Sequence, residues 1–538
     1  MKKHNTVKVV LIVILLFLLL SWILPAAYYS SSYVEQGRVQ MGLFDLVNYP
    51  FTSLSYFGYI ALFIILVGGF YGVLNKIPAY HDFVEKLAAK LKGKEIFALS
   101  IISIILAFGV SICGLQIAFA IFIPLLVSLI FLMGYDKIVA ALVIVGSMTV
   151  GLAGSTYATT NLSVLTKTLS LKTDYQIGVR FVILLVGIAL VIFNTIMYIK
   201  KNKKAVAAED AKSIAVKVTD EVMAEEIAKE EAKKEEEEKE EVEEKKTSSK
   251  KTSTKKSSTK KSTTKSSSKK STKKTTSKNA NKAALVDEDV IVANSGKHYN
   301  TVTFSILFGL LFVLMILAFI PWESAFGIKA MSTATDAVSK FKLFGFNIFG
   351  KILGTMNAFG SWTLVDLLLP LLLITIIFVI IYKVKLDDAL DGFAEGAKKA
   401  LLPACVVILL YTVLVLATYH PFQLVIYKTI LGSKFNIVTT TVTAILSSFF
   451  NFEASYVFQS VLPYYASVVT NSANYPLVGV IFQSMYGLTM LVAPTSLILM
   501  SVLSYLDVSY GEWLKNIWKL LLELFIILLI IFIILALI

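Results

Sequence analysis

The chain has 538 residues, of which 56% are hydrophobic and only 16% charged, with a formal net charge of +14. Soluble globular proteins average about 25% charged residues, so this composition, with a mean hydropathy of +0.73, points to lipid and away from a soluble enzyme. About half of the charge lies between Lys201 and His298, so the positive excess belongs to one polar insert and to loops beside membrane spans, not to a nucleic-acid surface.

Lys2 and Lys3 precede an apolar run over 8–28 that is long enough for a bilayer core of roughly 30 Å. With many apolar runs behind it, this run reads as a first span and not as a cleaved leader. Further uninterrupted runs follow at 57–75, 178–199, 301–321, 361–383, 401–419 and 516–538. Two more, 137–168 and 476–505, are broken by small and polar residues, which brings the expectation to about nine crossings. Two longer stretches, 96–134 and 436–470, have polar or glycine-containing centres and read as helical hairpins that return to their own side. The expected fold class is an all-α polytopic membrane protein.

Lysine placement orients this layout, because cytoplasmic loops carry an excess of Lys and Arg. Lys2, Lys3 and Lys8, then Lys76 to Lys94, then Lys200 to Lys204 all fall on one side, as do Lys383, Lys385, Lys398, Lys399, Lys515 and Lys519. The N-terminus and the insert are therefore expected in the cytoplasm, and the chain in the cell membrane. The outer loop 322–360, with its lysines, is the exception to the pattern. Residues 209–244 of the insert are rich in Glu, Ala and Lys, a composition for a charged exposed helix, a coiled coil or disorder. Residues 247–282 are almost wholly Lys, Ser and Thr and cannot bury enough apolar surface to order themselves. The expected domains are a membrane repeat over 1–200, a largely disordered linker over 201–298, and a second membrane repeat over 299–538. The linker serves as a tether or, through its lysines, binds the anionic leaflet.

The two halves share an order of parts. Span 57–75, amphipathic Ile77–Leu91, a hairpin, a broken span and a final span are matched by 401–419, Phe422–Lys434, 436–470, 476–505 and 516–538. The lysine count opens the first hairpin inward and the second outward, which is an inverted-topology repeat of the kind that supports alternating access. The first broken span is interrupted over Val150–Asn161, and the second at Gly487-Leu488-Thr489 and Ala493-Pro494-Thr495-Ser496. Irregular backbone at membrane depth persists only where protein or a watery cavity satisfies it. Such breaks serve either close helix packing or a binding site. The candidate contacts are Ser155, Thr156, Thr159 and Asn161 in the first half and Asn451, Thr495 and Ser496 in the second. Glu453, at the tip of the second hairpin, is costly inside a membrane and is the candidate for a coupling proton, for Na⁺ or for a substrate amine. Alternatively it is an interfacial residue at the exposed tip of a shorter hairpin. Arg180, near the outer end of its span, is expected to snorkel toward water.

At these residues the sequence resembles the YfcC-type branch of the anaerobic four-carbon dicarboxylate carrier family, within the ion transporter superfamily. The resemblance runs through Trp22 to Tyr28, Val67 to Lys76, Lys92-Gly93-Lys94-Glu95, Gly151 to Asn161, Asp391 to Lys398, Ala493 to Met500 and Tyr510-Gly511-Glu512-Trp513. It implies two re-entrant hairpins and ion-coupled transport of dicarboxylates, amino acids or other small carboxylates, often by a homodimer. The chain departs from that pattern at Gly114-Leu115-Gln116 and Ser484-Met485-Tyr486-Gly487, where the family tends to be acidic, and at Glu453, where it favours Ser, Gly or Gln. The expected function is a secondary transporter coupled to Na⁺ or H⁺, with a passive channel as the alternative. No catalytic triad, metal-ligand cluster or phosphate loop stands in the sequence, so no enzyme, ATP-driven pump or resident cofactor is expected. Cys113 and Cys405 suggest no disulfide.

Overall fold

The computed structural model describes residues 5–114, 116–202, 301–347, 350–351, 354, 357–432 and 434–538, without the side chains of Thr159 and Thr160. The expected disorder and charged helix of the insert lie outside the described residues. The described chain is almost wholly helical and multi-pass, with eight helices long and apolar enough to cross a membrane. Seven of the eight are the uninterrupted runs expected from sequence. The eighth, Glu95–Cys113, is an arm of the first hairpin.

The first half begins with α1 (Asn5–Ile23), a short ribbon of β1 (Ala27–Tyr29) and β2 (Tyr33–Glu35), α2 (Leu43–Asn75) and α3 (Pro78–Leu91). The first hairpin is α4 (Glu95–Cys113), a 3₁₀ segment (Ile117–Phe122) and α5 (Ile123–Leu132). The first broken span is α6 (Lys137–Ala141), a π turn (Leu142–Gly146), α7 (Ser147–Ala153) and α8 (Thr159–Thr168), followed by α9 (Ile177–Asn202). The second half contains α10 (Val302–Phe319), α11 (Trp322–Phe326), α12 (Ala330–Lys340), α13 (Leu364–Ile381), α14 (Leu386–Tyr419) and α15 (Gln423–Ile430). The second hairpin is α16 (Ile437–Phe450) with α17 (Ala454–Val468). The second broken span is α18 (Tyr475–Met490) with α19 (Leu497–Tyr505), and α20 (Tyr510–Leu537) follows. The Asp391–Lys398 stretch continues without a break into the span as α14.

The apolar helices are two-faced in burial but not in polarity. In α1, Val10, Val13, Ile14 and Phe17 are buried, whereas Leu11, Ile12, Leu15, Leu16 and Leu19 are each about half exposed. A helix that is apolar all round, with leucines on its open face, is solvated by lipid.

The centre of the fold is the pair α2 and α14, which contain the runs 57–75 and 401–419. Along α2 the partners run backwards along α14. Tyr49 Oη lies 2.9 Å from His420 Nε2, and Ser53 Oγ donates to Ile408 O at 2.9 Å. Phe57 stacks on Tyr411 with ring centroids 4.2 Å apart, and beyond them Gly68 meets Gly396 and Gly72 meets Gly392. The pair is antiparallel. A methyl group on Gly72 would overlap the Gly392 carbonyl, and one on Gly396 the Gly68 carbonyl, so backbone touches backbone there. Small residues permit this approach in a membrane, where dispersion and not water expulsion drives helix association. Lys76 Nζ and Glu395 Oε2 close the end of the seam at 2.8 Å. The broken spans also run antiparallel: Ala153 meets Gly487, Ser155 meets Gln483, and Tyr175 meets Gly479.

Contacts at the two ends of α1 locate the hairpin bases. At its start, Asn5 Oδ1 accepts from Tyr510 N at 2.9 Å. Lys137, just after the base of the first hairpin, lies within electrostatic reach of Asp507 and Glu512 beside Tyr510. At the far end of α1, the ribbon residues Tyr29 and Tyr33 pack on Tyr464, near the base of the second hairpin, with centroids 6.2 and 5.7 Å apart. The two hairpins therefore open toward opposite ends of α1.

Candidate substrate and ion site

Each break is held by backbone acceptors and by side chains from the span that follows it. In the first, α4 stops at Gly114, whose φ of +76° is the left-handed conformation that glycine adopts without strain. Ser111, one turn earlier in α4, supplies the neighbouring contacts. Its carbonyl accepts from Thr156 N at 2.9 Å, and its hydroxyl donates to Gly154 O at 2.9 Å. Arg180, in α9, is fully buried and donates to Ser155 O at 2.8 Å, Thr173 O at 2.8 Å, Tyr175 O at 2.9 Å and Thr156 O. Its guanidinium also stands 4.4 Å from the Tyr175 ring centroid. The snorkelling expected of Arg180 is therefore wrong: five rigid N–H donors satisfy the carbonyls that a broken helix frees. Gln483 Nε2 adds a bond to Ser155 O at 2.8 Å from the opposite half.

In the second break the same task falls to neutral groups. Tyr510 Oη donates to Val492 O at 2.5 Å, and the buried Trp513 Nε1 to Leu491 O at 2.9 Å. Thr495 Oγ1 donates to Phe449 O at 2.8 Å, tying the break to the second hairpin. These bonds give the motif residues Tyr510 and Trp513 a physical role that their spacing did not disclose.

The expected site residues divide into two groups. Ser155, Thr156, Thr495 and Ser496 are buried, and their hydroxyls are engaged within the breaks. Thr156 Oγ1 pairs with Ser111 Oγ at 3.0 Å, and Ser155 Oγ reaches Ser111 O at 3.4 Å. Ser496 caps α19, accepting from Leu499 N at 3.4 Å. The side chain of Thr159 lies outside the described residues, while its backbone opens α8. Asn161 and Glu453, by contrast, line one cavity of about 360 Å³. Asn161 Nδ2 donates to Gly114 O at 2.8 Å, joining the first break to the first hairpin tip. Asn451 is buried beneath Glu453: its Oδ1 accepts from Glu453 N at 3.1 Å, and its Nδ2 has no partner among the described residues.

The cavity draws on both halves. Gly114 and Gln116 come from the first hairpin, Asn161 from the first broken span, Phe452 to Ala454 from the second hairpin, and Tyr486, Met490 and Leu497 from the second broken span. Tyr59 and Tyr411 complete the wall, and Gly360 to Leu364 close one side. Three helices begin at it: α13 at Leu364, α17 at Ala454 and α19 at Leu497. Glu453 Oε2 accepts from Tyr456 N at 2.7 Å as the cap of α17, and the phenols of Tyr59, Tyr411 and Tyr486 lie within reach of its charge. Among the described residues it is the one carboxylate in the lining, and no Lys, Arg or His joins it. Glu453 also lines a second cavity of about 440 Å³ between α2, α14 and α17. Sequence reasoning missed Tyr59, Tyr411, Tyr486 and Gln483. Gln483 and Tyr486, one turn apart inside an apolar span, were the available signal.

Crossing helices, two broken spans and two helical hairpins around an internal cavity define a multi-pass membrane protein. The sequence profile of the C4-dicarboxylate anaerobic carrier (DcuC) family matches residues 4–537, and the chain belongs to that family. An uncharacterised protein of Haemophilus influenzae is 29% identical over 144 residues, which are 27% of this chain; the match spans 28% of that protein's length. The crystal structure of the Alcanivorax borkumensis YdaH transporter, described as having an unusual topology, aligns over 98% of this chain and 97% of its own at 10% identity, with a TM-score of 0.37.

Proposed function

We propose that this protein is an ion-coupled secondary carrier, a symporter or exchanger, for small organic anions such as dicarboxylates or for amino acids, and that it works by alternating access. The supporting observation is the convergence of both hairpin tips and both broken spans on one cavity of about 360 Å³. The antiparallel pairing of equivalent helices, and hairpins that open toward opposite ends of α1, support reading the halves as an inverted repeat. On that reading the N-terminus and the 201–298 linker are cytoplasmic. Assembly as a homodimer is part of the proposal through the family resemblance.

The cavity would hold an anion without a cationic side chain. Gln116, Asn161 and the tyrosine hydroxyls are neutral donors, and three helix N-termini add their positive ends. Glu453 then makes coupling necessary. Two like unit charges about 4 Å apart repel by roughly 4 kcal/mol at an effective dielectric constant of 20, which a proton or Na⁺ on the carboxylate offsets. Ser155, Thr156, Thr495 and Ser496 hold the breaks in the shape that the substrate meets, and Asn451 orients the Glu453 backbone.

The test is thermal stabilisation of the purified protein by a panel of dicarboxylates, other carboxylates and amino acids, across pH and with and without Na⁺. A ligand at a hundredfold over its dissociation constant stabilises the folded state by about 2.7 kcal/mol. A stabilising carboxylate whose effect depends on Na⁺ or pH, and loses that dependence in Glu453→Gln, supports the carrier. No stabilising ligand, together with ionic conductance in bilayers, would mean a passive channel.

A further inference from the structure

The cavity of about 440 Å³ is unlike its neighbour in chemistry. Its wall is mostly apolar, from Phe57, Leu414 and Val415, with the hydroxyls of Thr52, Thr418 and Ser455 and the Gln459 amide among its neutral polar groups. The amide donors Gln116 and Asn161 that would suit an anion belong to the neighbouring cavity. Its rim is exposed: Tyr56 is 68% and Tyr419 55% accessible, and Thr418 and Gln459 are also exposed. Tyr419 stacks on Tyr49 at the end of the α2–α14 pair, at centroids 5.6 Å apart. A cluster of tyrosines at the end of two spans is the composition of a membrane–water interface. Thr52 and Thr418 spend their hydroxyl protons on Asn48 O and Leu414 O, so their oxygens are left as acceptors, and acceptors and the faces of tyrosine rings attract cations. The cavity leads from that rim to a single charged group, Glu453.

We infer that this cavity is a separate entrance by which a small monovalent cation, H⁺ or Na⁺, reaches Glu453 without passing through the substrate cavity. The inference rests on the carrier reading only in calling that cation the coupling ion. The titratable groups that face Glu453 are all phenols: Tyr59 from α2, Tyr411 from α14, Tyr486 from α18 and, on its own helix, Tyr456, with Tyr56 and Tyr419 at the rim. No basic side chain from those elements lines either cavity among the described residues. A cation arriving from the rim therefore meets no fixed positive charge, and the substrate is met by donors on the other side of the same carboxyl. Glu453 is the partition between the two compartments, so cation and anion need not share an entry.

Labelling of Glu453 in the full-length protein by dicyclohexylcarbodiimide, which adds to protonated carboxyls in apolar surroundings, tests the route when read peptide by peptide by mass spectrometry. Thr418→Trp and Gln459→Trp each fill the exposed rim of the proposed entrance, while Ser361→Trp fills the exposed rim of the substrate cavity. The melting temperature of each variant checks its fold. Labelling should be lost in the two rim variants and kept in Ser361→Trp. If Na⁺ is the cation, adding it at fixed pH suppresses labelling; if H⁺ is, only pH moves it. Labelling that survives in both folded rim variants, that is lost in Ser361→Trp, or that is absent from the wild-type protein at every pH overturns the entrance. Should the labelling pattern hold while no carboxylate or amino acid stabilises the protein, the carrier reading fails and the entrance stands.

Discussion

Arg180 ties the first break to the start of its own span. Its guanidinium meets four carbonyls, two of which belong to the break itself. Lysine offers a compact ammonium in place of a planar fork and cannot reach all four. Arg180→Gln should lower stability by on the order of 3 kcal/mol, because buried carbonyls lose their donors, and Arg180→Lys should recover only part of it. Melting temperatures in detergent measure both. His81, on α3 outside the spans, makes a different prediction. Its Nε2 lies 3.0 Å from Asn75 O, while its buried Nδ1 has no hydrogen-bond partner among the described residues. Burial holds its pKa below the ordinary imidazole value, against smaller opposing effects of the Asn75 carbonyl and Asp82. The unfolded chain therefore takes up a proton more readily than the folded one. The stability from neutral His81 is present above about pH 6.5, the unperturbed value, and is lost as pH falls below it. A melting temperature that declines from pH 7 to pH 5 in the wild type should decline less in His81→Gln.

At the scale of elements, the α2–α14 seam and the capped breaks invite opposite tests. Gly396→Val inserts side chain where backbone already touches backbone, so the helices must part. A cost of about 3 kcal/mol, at the upper end for overpacking, should appear as lost folding yield. Tyr510→Phe removes one bond and leaves shape intact, so the Val492 carbonyl loses its donor for about 1–2 kcal/mol, read as a small fall in melting temperature. Both hairpins and both breaks were legible in the sequence, since glycine, proline and hydroxyl residues inside apolar runs are local signals. Asn161, at the edge of the first break, and Glu453, at the tip of the second hairpin, stood out as candidates for the same reason, as polar groups inside apolar runs. The glycine seam was not: Gly68 and Gly72 announce a close approach but not the helix that approaches. Nor were Arg180, Tyr510 and Trp513 legible as caps, because a donor at the end of a span looks interfacial until the carbonyls that it serves are brought beside it. Hydroxyls raise the converse difficulty. Ser155 and Thr495 read as ligand contacts from composition alone, yet their atoms are committed to backbone.

At the scale of the molecule, the described parts on either side of 208–292 form one compact unit. Excision of 208–292 with a short flexible bridge should therefore leave ligand-induced stabilisation of the remaining chain unchanged, measured on the same carboxylate panel. The two breaks, however, are not electrically equivalent. The first is closed by a permanent cation, Arg180, and the second by a phenol and an indole. A membrane potential acts on the former with about 2.3 kcal/mol per elementary charge per 100 mV and on the latter hardly at all. Any step that carries Arg180 across the field is voltage-sensitive, and the matching step of the second break is so only while Glu453, on the hairpin to which Thr495 ties it, is ionised. The two half-cycles of such a device would answer to membrane voltage unequally, so that polarising the membrane would favour one resting orientation even when no solute is bound.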